Sequence, residues 1–157
     1  ERISDHALNI SESATEMDEK KLKFSEKALA ELTVFSEAVK DILAETVEVF
    51  ENADVEKAKN IEPLEEAIDE LNNEVKNRHI RRLREGRCTI ELGFVLSDIS
   101  TSFERIADHC SNIALSQIQI RQDEYETHEY VEKLKTKYPE QFAERVNEYK
   151  SRYCLPD

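Results

Sequence analysis

The sequence predicts an all-α fold, an antiparallel bundle of four long helices followed by a short helical C-terminal extension. Its 157 residues include only two glycines and three prolines, and this scarcity, with abundant Ala, Leu, Glu and Lys, favours helix over sheet. Apolar residues recur three and four positions apart along most of the chain, the periodicity of a helix with one buried face. The length suits one domain with a sizeable core.

The first two helices are predicted over residues 1–16 and 21–50, with a charged stretch between them at 17–21. The apolar positions of the first are Ile3, Ala7, Ile10 and Ala14. The second has a near-heptad seam, typical of a helix in a bundle. Its apolar members are Leu22, Leu29, Leu32, Val39, Leu43 and Phe50, and its small members are Ser25, Ser36 and Thr46.

The third helix is predicted to start at an Asn52 or Asp54 cap and to reach about Glu85. Pro63 lacks an amide hydrogen and clashes with the preceding turn, so it predicts a kink or a new helix start. Gly86 is expected to close the helix because glycine tolerates positive φ. The buried stripe is Ile61, Leu64, Ile68, Leu71 and Val75.

The fourth helix is predicted over residues 88–119, where Gly93 indicates close packing against a neighbouring helix. Its inward positions are Leu92, Leu96, Ile99, Phe103, Ile106, Cys110 and Ile113. In the tail, Pro139 suits a first helical turn. The apolar stripe that follows, Phe142, Val146, Tyr149 and Tyr153, predicts a helix laid across the bundle; a peptide-binding face is the alternative.

Composition also bounds the function. The chain has 22 basic and 35 acidic residues, a formal charge of −13, which repels nucleic acid. This acidity either serves solubility or draws cations. The three cysteines form no close pair, which indicates reduced thiols in a cytosolic setting. No apolar run is long enough to span a membrane, and no catalytic motif occurs, so no enzyme activity is predicted.

One decapeptide occurs twice. Residues 1–10, ERISDHALNI, return at 104–113 as ERIADHCSNI, with seven of ten positions identical. In each copy Glu and Asp stand four residues apart, so their carboxylates share one helical face and repel each other. Something must compensate this charge: arginine, or a cation held by carboxylate and imidazole. The residues concerned are Glu1, Asp5, His6, Glu104, Asp108 and His109.

A third pair with the same spacing, Glu65 and Asp69, lies on the third helix. If the third and fourth helices pack antiparallel, two such pairs face each other, as in the carboxylate metal sites of helix bundles. A solvated face with ion pairs is the other interpretation, and spacing alone does not decide between them.

Five arginines lie in the segment RHIRRLREGR at residues 78–87. Cations late in a helix interact favourably with its negative end, which explains the cluster without a ligand. The functional interpretation is contact with an anion or a partner through Arg78, Arg81 and Arg82.

These motifs resemble those of PhoU domains, helical proteins built from two three-helix repeats. The signature ERIxDHxxNI occurs twice at one repeat length, and IEPLEEAIDELNNEV, RHIRRLREGRC and IELGFVLSDISTSFERIADHC are similar to the PhoU-like domain at the C-terminus of bacterial sodium/phosphate cotransporters. The resemblance implies that residues 1–122 hold the end of repeat one plus repeat two, with residues 1–16 covering the groove of the other helices. It implies that 123–157 are an extension and that further helices precede residue 1.

In some PhoU proteins, acidic pairs of this spacing hold iron or zinc clusters. The resemblance carries that role to three pairs and leaves His6 and His109 as further ligands, where free-standing PhoU has a different pattern. The implied cofactors are divalent, iron or zinc ions on Glu1, Asp5, Glu65, Asp69, Glu104 and Asp108.

The implied function is a regulatory domain of a sodium-dependent phosphate transporter, on the cytoplasmic face of the bacterial inner membrane. Its partners would be the transmembrane domain of its own transporter and, because a shortened repeat leaves apolar faces uncovered, a second copy of the chain. The alternative is a structural module that dimerises or anchors the transporter without metal or signalling.

Overall fold

The computed structural model describes residues 1–122, 136 and 139–156, and its regular structure in these ranges is helical, without strands. The all-α prediction is confirmed. The helices with described bounds are α1 Arg2–Glu19, α2 Glu26–Asn52, α3 Val55–Ala58, α4 Ile61–Arg84, α5 Ile90–Gln122 and α6 Pro139–Arg152. The predicted domain boundary between residues 122 and 123 lies at the edge of the described residues.

Local chemistry explains why two predicted helix starts moved. Ser25 was expected on the buried seam of α2, but its side chain accepts a hydrogen bond from the Ala28 amide at 3.3 Å and caps the helix. Lys21 has a positive φ of 52°, which an α-helix does not contain. With Ser25 as its cap, α2 begins at Glu26, five residues later than predicted. Asp54 is a cap, as expected, but it starts the short α3. The predicted third helix is therefore two helices.

Pro63 and Gly86 act as predicted in α4. Pro63 lies in the first turn, where a proline costs little because those amides have no partner within the helix. Gly86 follows the helix with φ of +67°, which a residue with a Cβ rarely adopts. The whole predicted stripe of α4 is buried.

Successive long helices run antiparallel. Asn72 of α4 bonds to Glu104 of α5, and Glu62, which is earlier on α4, bonds to Ser111, which is later on α5. The two helices therefore run in opposite directions. The core lies between α2, α4 and α5. It is centred on fully buried side chains such as Phe35, whose ring meets that of Phe103 edge to face at 5.0 Å.

Two apolar residues of the predicted α2 seam are on the surface. Leu29 is 58% exposed and Phe50 is 63% exposed. A strict seven-residue repeat drifts around an α-helix that has 3.6 residues per turn, so the ends of a long seam rotate out of the core. The middle positions Leu32 and Val39 are buried as expected.

The tail helix α6 packs on the bundle as predicted. Val146 and Tyr153 are buried, and the Tyr153 hydroxyl donates a hydrogen bond to Asp41 of α2 at 2.7 Å. Lys150 pairs with Glu70 of α4. The apolar stripe of α6 is thus used within the molecule, which disfavours the peptide-binding alternative.

The first helix is placed differently from the expectation that it covers the groove of the other three. It packs along α5, where His6 stacks on His109. Only Ser13 of α1 is fully buried, and Ile3 and Ile10 pack partly against the core. Within residues 1–122 and 139–156, no helix combines the length and the apolar character that crossing a membrane requires.

Candidate metal centre

The facing surfaces of α4 and α5 bring three carboxylates together. Glu65 and Asp69 lie one turn apart on α4, and Asp108 reaches them from α5. One ligand oxygen from each lies within 4.8 Å of the others, and all three residues are partly buried. The antiparallel packing inferred from the sequence therefore produces a cluster of oxygen ligands from two helices.

The charge within this cluster is poorly compensated by the protein. Burial, together with the negative charges of Glu62, Asp69 and Asp108, raises the pKa of Glu65 from its ordinary value of 4.5 to about 8. Burial also raises the pKa of Asp69, with the charges of Glu104 and Asp108 acting in the same direction. A cation would favour the ionised forms of these groups.

One member of the cluster has a basic partner. The Arg105 guanidinium donates a hydrogen bond to Asp108 at 3.0 Å. This is the salt-bridged arrangement that the sequence left open, but the guanidinium is 56% exposed and is three residues away on the same helix. Exposed pairs of this kind contribute little to stability, so Arg105 only partly offsets the repulsion.

Glu104 is beside the cluster but bonded elsewhere. Its Oε2 accepts a hydrogen bond from the Asn72 amide at 2.7 Å and one from the Lys76 ammonium at 3.3 Å. The amide oxygen of Asn72 is buried without a partner. Sequence reasoning missed Asn72 and Lys76. Their positions, three and seven residues after Asp69, put them on the face that carries the acids and would have identified them.

The first copy of the decapeptide does not contribute carboxylates to this cluster. Glu1 and Asp5 are exposed, and neither belongs to the group of three. The two copies meet through their histidines, since the rings of His6 and His109 stack with centroids 5.5 Å apart. Burial and the charge of His6 lower the pKa of His109, so neutral imidazoles favour this contact.

The predicted anion contacts divide into buried and exposed groups. Both terminal nitrogens of Arg82 donate to the Glu31 carboxylate at 2.8 and 2.7 Å, and Arg82 and Glu31 are both buried. Arg78 bonds to Glu74 at 3.0 Å and approaches Glu31 at 3.6 Å. Arg81 is exposed. Contact with an external anion stays a prediction. Arg82 is buried and is therefore not accessible to such an anion.

The residues of the cluster fit a hard divalent ion. Three carboxylate oxygens at this separation match the ligands that Mg²⁺, Mn²⁺ or Ca²⁺ prefer. The buried, unpartnered amide oxygen of Asn72 adds a further oxygen on the same face of α4. The histidines stack on each other outside the group of three. Of the ligand sets expected from the sequence, oxygen-only ligation at Glu65, Asp69 and Asp108 is the one that this geometry favours.

Comparison with known proteins identifies similar chains. A family model described as PhoU domain matches residues 32–116, a span that includes the three clustered carboxylates and excludes the first decapeptide. The phosphate-specific transport system accessory protein PhoU homolog 1 of Thermotoga maritima is 30% identical over 120 residues, which are 76% of this chain and 51% of that protein.

The phosphate-specific transport system accessory protein PhoU homolog of Deinococcus radiodurans is 25% identical over 118 residues, which are 73% of this chain and 52% of that protein. The chain thus spans about half the length of the curated relatives it matches. No solved structure matches it.

Proposed function

The chain belongs to the PhoU domain family, and from this premise we propose that it is a regulatory domain of phosphate transport. The observation that carries the proposal is the family match over residues 32–116. The two relatives are named as accessory proteins of phosphate-specific transport systems, and a regulatory role without catalysis agrees with the lack of catalytic motifs in the sequence.

We further propose that the transporter is a sodium-dependent phosphate cotransporter and that the chain acts beside its transmembrane domain, on the cytoplasmic face of the bacterial inner membrane. The support is the resemblance of the sequence at residues 61–75, 78–88 and 90–110 to such cotransporter domains. To test it, residues 1–157 are deleted in cells that express them, and sodium-dependent uptake of ³²P-phosphate is measured under phosphate-rich and phosphate-starved conditions. Regulation should be lost while transport persists. Uptake that responds to phosphate supply as before would contradict the proposal.

Binding of a divalent ion is the second part of the proposed function. Glu65 and Asp69 from α4 and Asp108 from α5 would hold the ion. Its charge would neutralise the cluster and join the two helices. The protein supplies oxygen ligands and a partly dry environment, in which unpaired negative charge is costly.

Thermal melting with and without Mn²⁺ tests this part. An ion that binds only the folded state at one hundred times its Kd adds about 2.7 kcal/mol, which corresponds to roughly 5 to 10 °C in Tm for a chain of this size. Asp69→Asn and Asp108→Asn should abolish the shift. The matched variants Glu1→Gln and Asp5→Asn should keep it, because these acids lie outside the cluster. No shift in the wild-type chain would refute metal binding.

A purely structural role in dimerisation or anchoring is the second candidate. It is favoured by Phe50 and Ile120, which are 63% and 72% exposed beside a groove that Ile3 and Ile113 also line. Under this alternative, the charge-neutralising variants of the cluster would leave dimerisation unchanged, whereas substitutions in the groove would abolish it.

A further inference from the structure

Lys76 lies beside Glu104, next to the three-carboxylate cluster. Asn72 and Lys76 follow Asp69 on the face of α4 that meets α5. Both donate to the same oxygen of Glu104, Asn72 at 2.7 Å and Lys76 at 3.3 Å. The Lys76 and Glu104 side chains are each about one-third exposed, at 33% and 31%. This carboxylate therefore already has a cation and an amide as partners.

Lys76 also lies within electrostatic reach of the three-carboxylate cluster. Burial is the main cause of the raised pKa of Asp69. The charges of Glu104 and Asp108 also raise this pKa, while the charge of Lys76 lowers it. Glu104 stands four residues before Asp108, one turn away on α5. The cluster and the Lys76–Glu104 pair are thus neighbours in one continuous acidic surface.

A second metal ion beside Glu104 would compete with the Lys76 ammonium for the same carboxylate oxygen. Hard divalent ions bind carboxylate oxygens at roughly 2.0 to 2.6 Å, and the oxygen in question is occupied by two N–H donors. A divalent ion placed next to an ammonium also meets strong charge repulsion where water is partly excluded. An ion could bind this oxygen only after Lys76 had moved away.

We propose that Lys76 takes the place of a second cation beside Glu104 and thereby limits the cluster to a single divalent ion. The inference rests on the metal binding proposed above and adds the number of ions bound and the residue that sets it. Asn72 is a positioning residue in this arrangement, because its amide holds the Glu104 carboxylate toward Lys76.

Mn²⁺ binding to the full chain tests the number of ions. Isothermal titration calorimetry gives the ions bound per chain, and electron paramagnetic resonance separates an isolated Mn²⁺ from a coupled pair. The wild-type chain should bind one ion with an uncoupled spectrum. Lys76→Met keeps the apolar stem and removes the charge, so it should bind two ions with a coupled spectrum. Lys76→Arg keeps the charge and should bind one.

Lys20→Met is the matched control, since Lys20 pairs with Glu16 on α1; it should bind one ion. Melting curves without metal establish that each variant is folded. If the wild-type chain binds no Mn²⁺, the metal-binding proposal fails and this inference fails with it. If the wild-type chain binds one ion and Lys76→Met also binds one or none, metal binding stands and the role of Lys76 is wrong. Two ions in the wild-type chain would likewise overturn it.

Discussion

Among single residues, Glu65 is partly buried and lies close to other carboxylates. Its pKa of about 8 means that the folded chain keeps a proton on this carboxyl group at pH values where the unfolded chain has lost it. The unfolded state releases this proton near pH 4.5, so the free energy of unfolding falls as the pH rises from about 4.5 to about 8. The cluster therefore costs stability at neutral pH when no cation is bound.

Glu65→Gln should remove this pH dependence. In EDTA, we expect the variant to melt a few degrees above the wild-type chain at pH 8 and close to it at pH 5, since about 1 kcal/mol corresponds to roughly 2 to 4 °C. Calorimetry at both pH values measures the difference. Glu12→Gln, which removes an exposed acid of α1, is the control and should follow the wild-type curve. A constant offset between pH 5 and pH 8 would refute the assignment to Glu65.

Among the elements, α4 connects the parts of the molecule, because it contacts α2, α5 and α6. Its contact with α2 includes a buried ion pair as well as apolar packing. Glu31 is only 3% exposed and stands in an otherwise apolar stretch of α2, where Arg82 neutralises it. Removal of one partner from a buried pair leaves a charge in a dry environment, which costs more than the pair itself contributes.

Arg82→Met should therefore destabilise the chain by about 3 kcal/mol. The double variant Glu31→Met with Arg82→Met should recover most of that loss, because two apolar side chains replace the pair. Urea denaturation of the wild type, both single variants and the double variant gives the coupling free energy. Arg105→Met, which removes an exposed pairing partner, should cost less than 1 kcal/mol. Additive losses in the double variant would contradict this account.

The same elements show what the sequence predicts well and why it fails elsewhere. The buried stripe of α4 and the roles of Pro63 and Gly86 were predictable, because periodicity and backbone geometry are local properties. The burial of Glu31 was not predictable, since a buried polar residue interrupts an apolar pattern and its partner Arg82 lies on another helix.

The candidate site was likewise predictable only in part. The four-residue spacing located the three clustered acids, but nothing local indicated that Glu1 and Asp5 would stay outside the cluster. The packing of α1 on α5 depends on which apolar faces meet, and periodicity leaves that open.

At the scale of the whole molecule, the large exposed side chains are unevenly distributed among the described residues. Phe50 and Ile120 lie beside the groove at the start of α1, while Ile90 and Phe94 lie at the opposite end of α5. Contiguous exposed apolar surface favours association. The groove lined by Phe50 and Ile120 is the better candidate for an interface between two copies, because α1, α2 and α5 shape it together.

We expect a homodimer in which this groove is covered. Light scattering during size-exclusion chromatography should give twice the 18.3 kDa chain mass at high protein concentration. Phe50→Ser with Ile120→Ser should shift the chain toward the monomer by at least tenfold in Kd, about 1.4 kcal/mol. Ile90→Ser with Phe94→Ser removes similar apolar area and should leave the dimer intact. A monomeric wild-type chain, or equal weakening by both double variants, would exclude this interface.

The turn at Gly86 also sets an order of folding events. The farther a contact between α4 and α5 lies from the turn, the more residues separate its two partners along the chain. Asn72 and Glu104 are 32 residues apart, and Glu62 and Ser111 are 49 apart. Since shorter loops close at a lower entropic cost, the hairpin should form from Gly86 toward the carboxylates. The mutual repulsion of Asp69 and Asp108 would then arise after the folding barrier is crossed. Stopped-flow kinetics should show that Asp108→Asn slows unfolding and leaves the folding rate nearly unchanged.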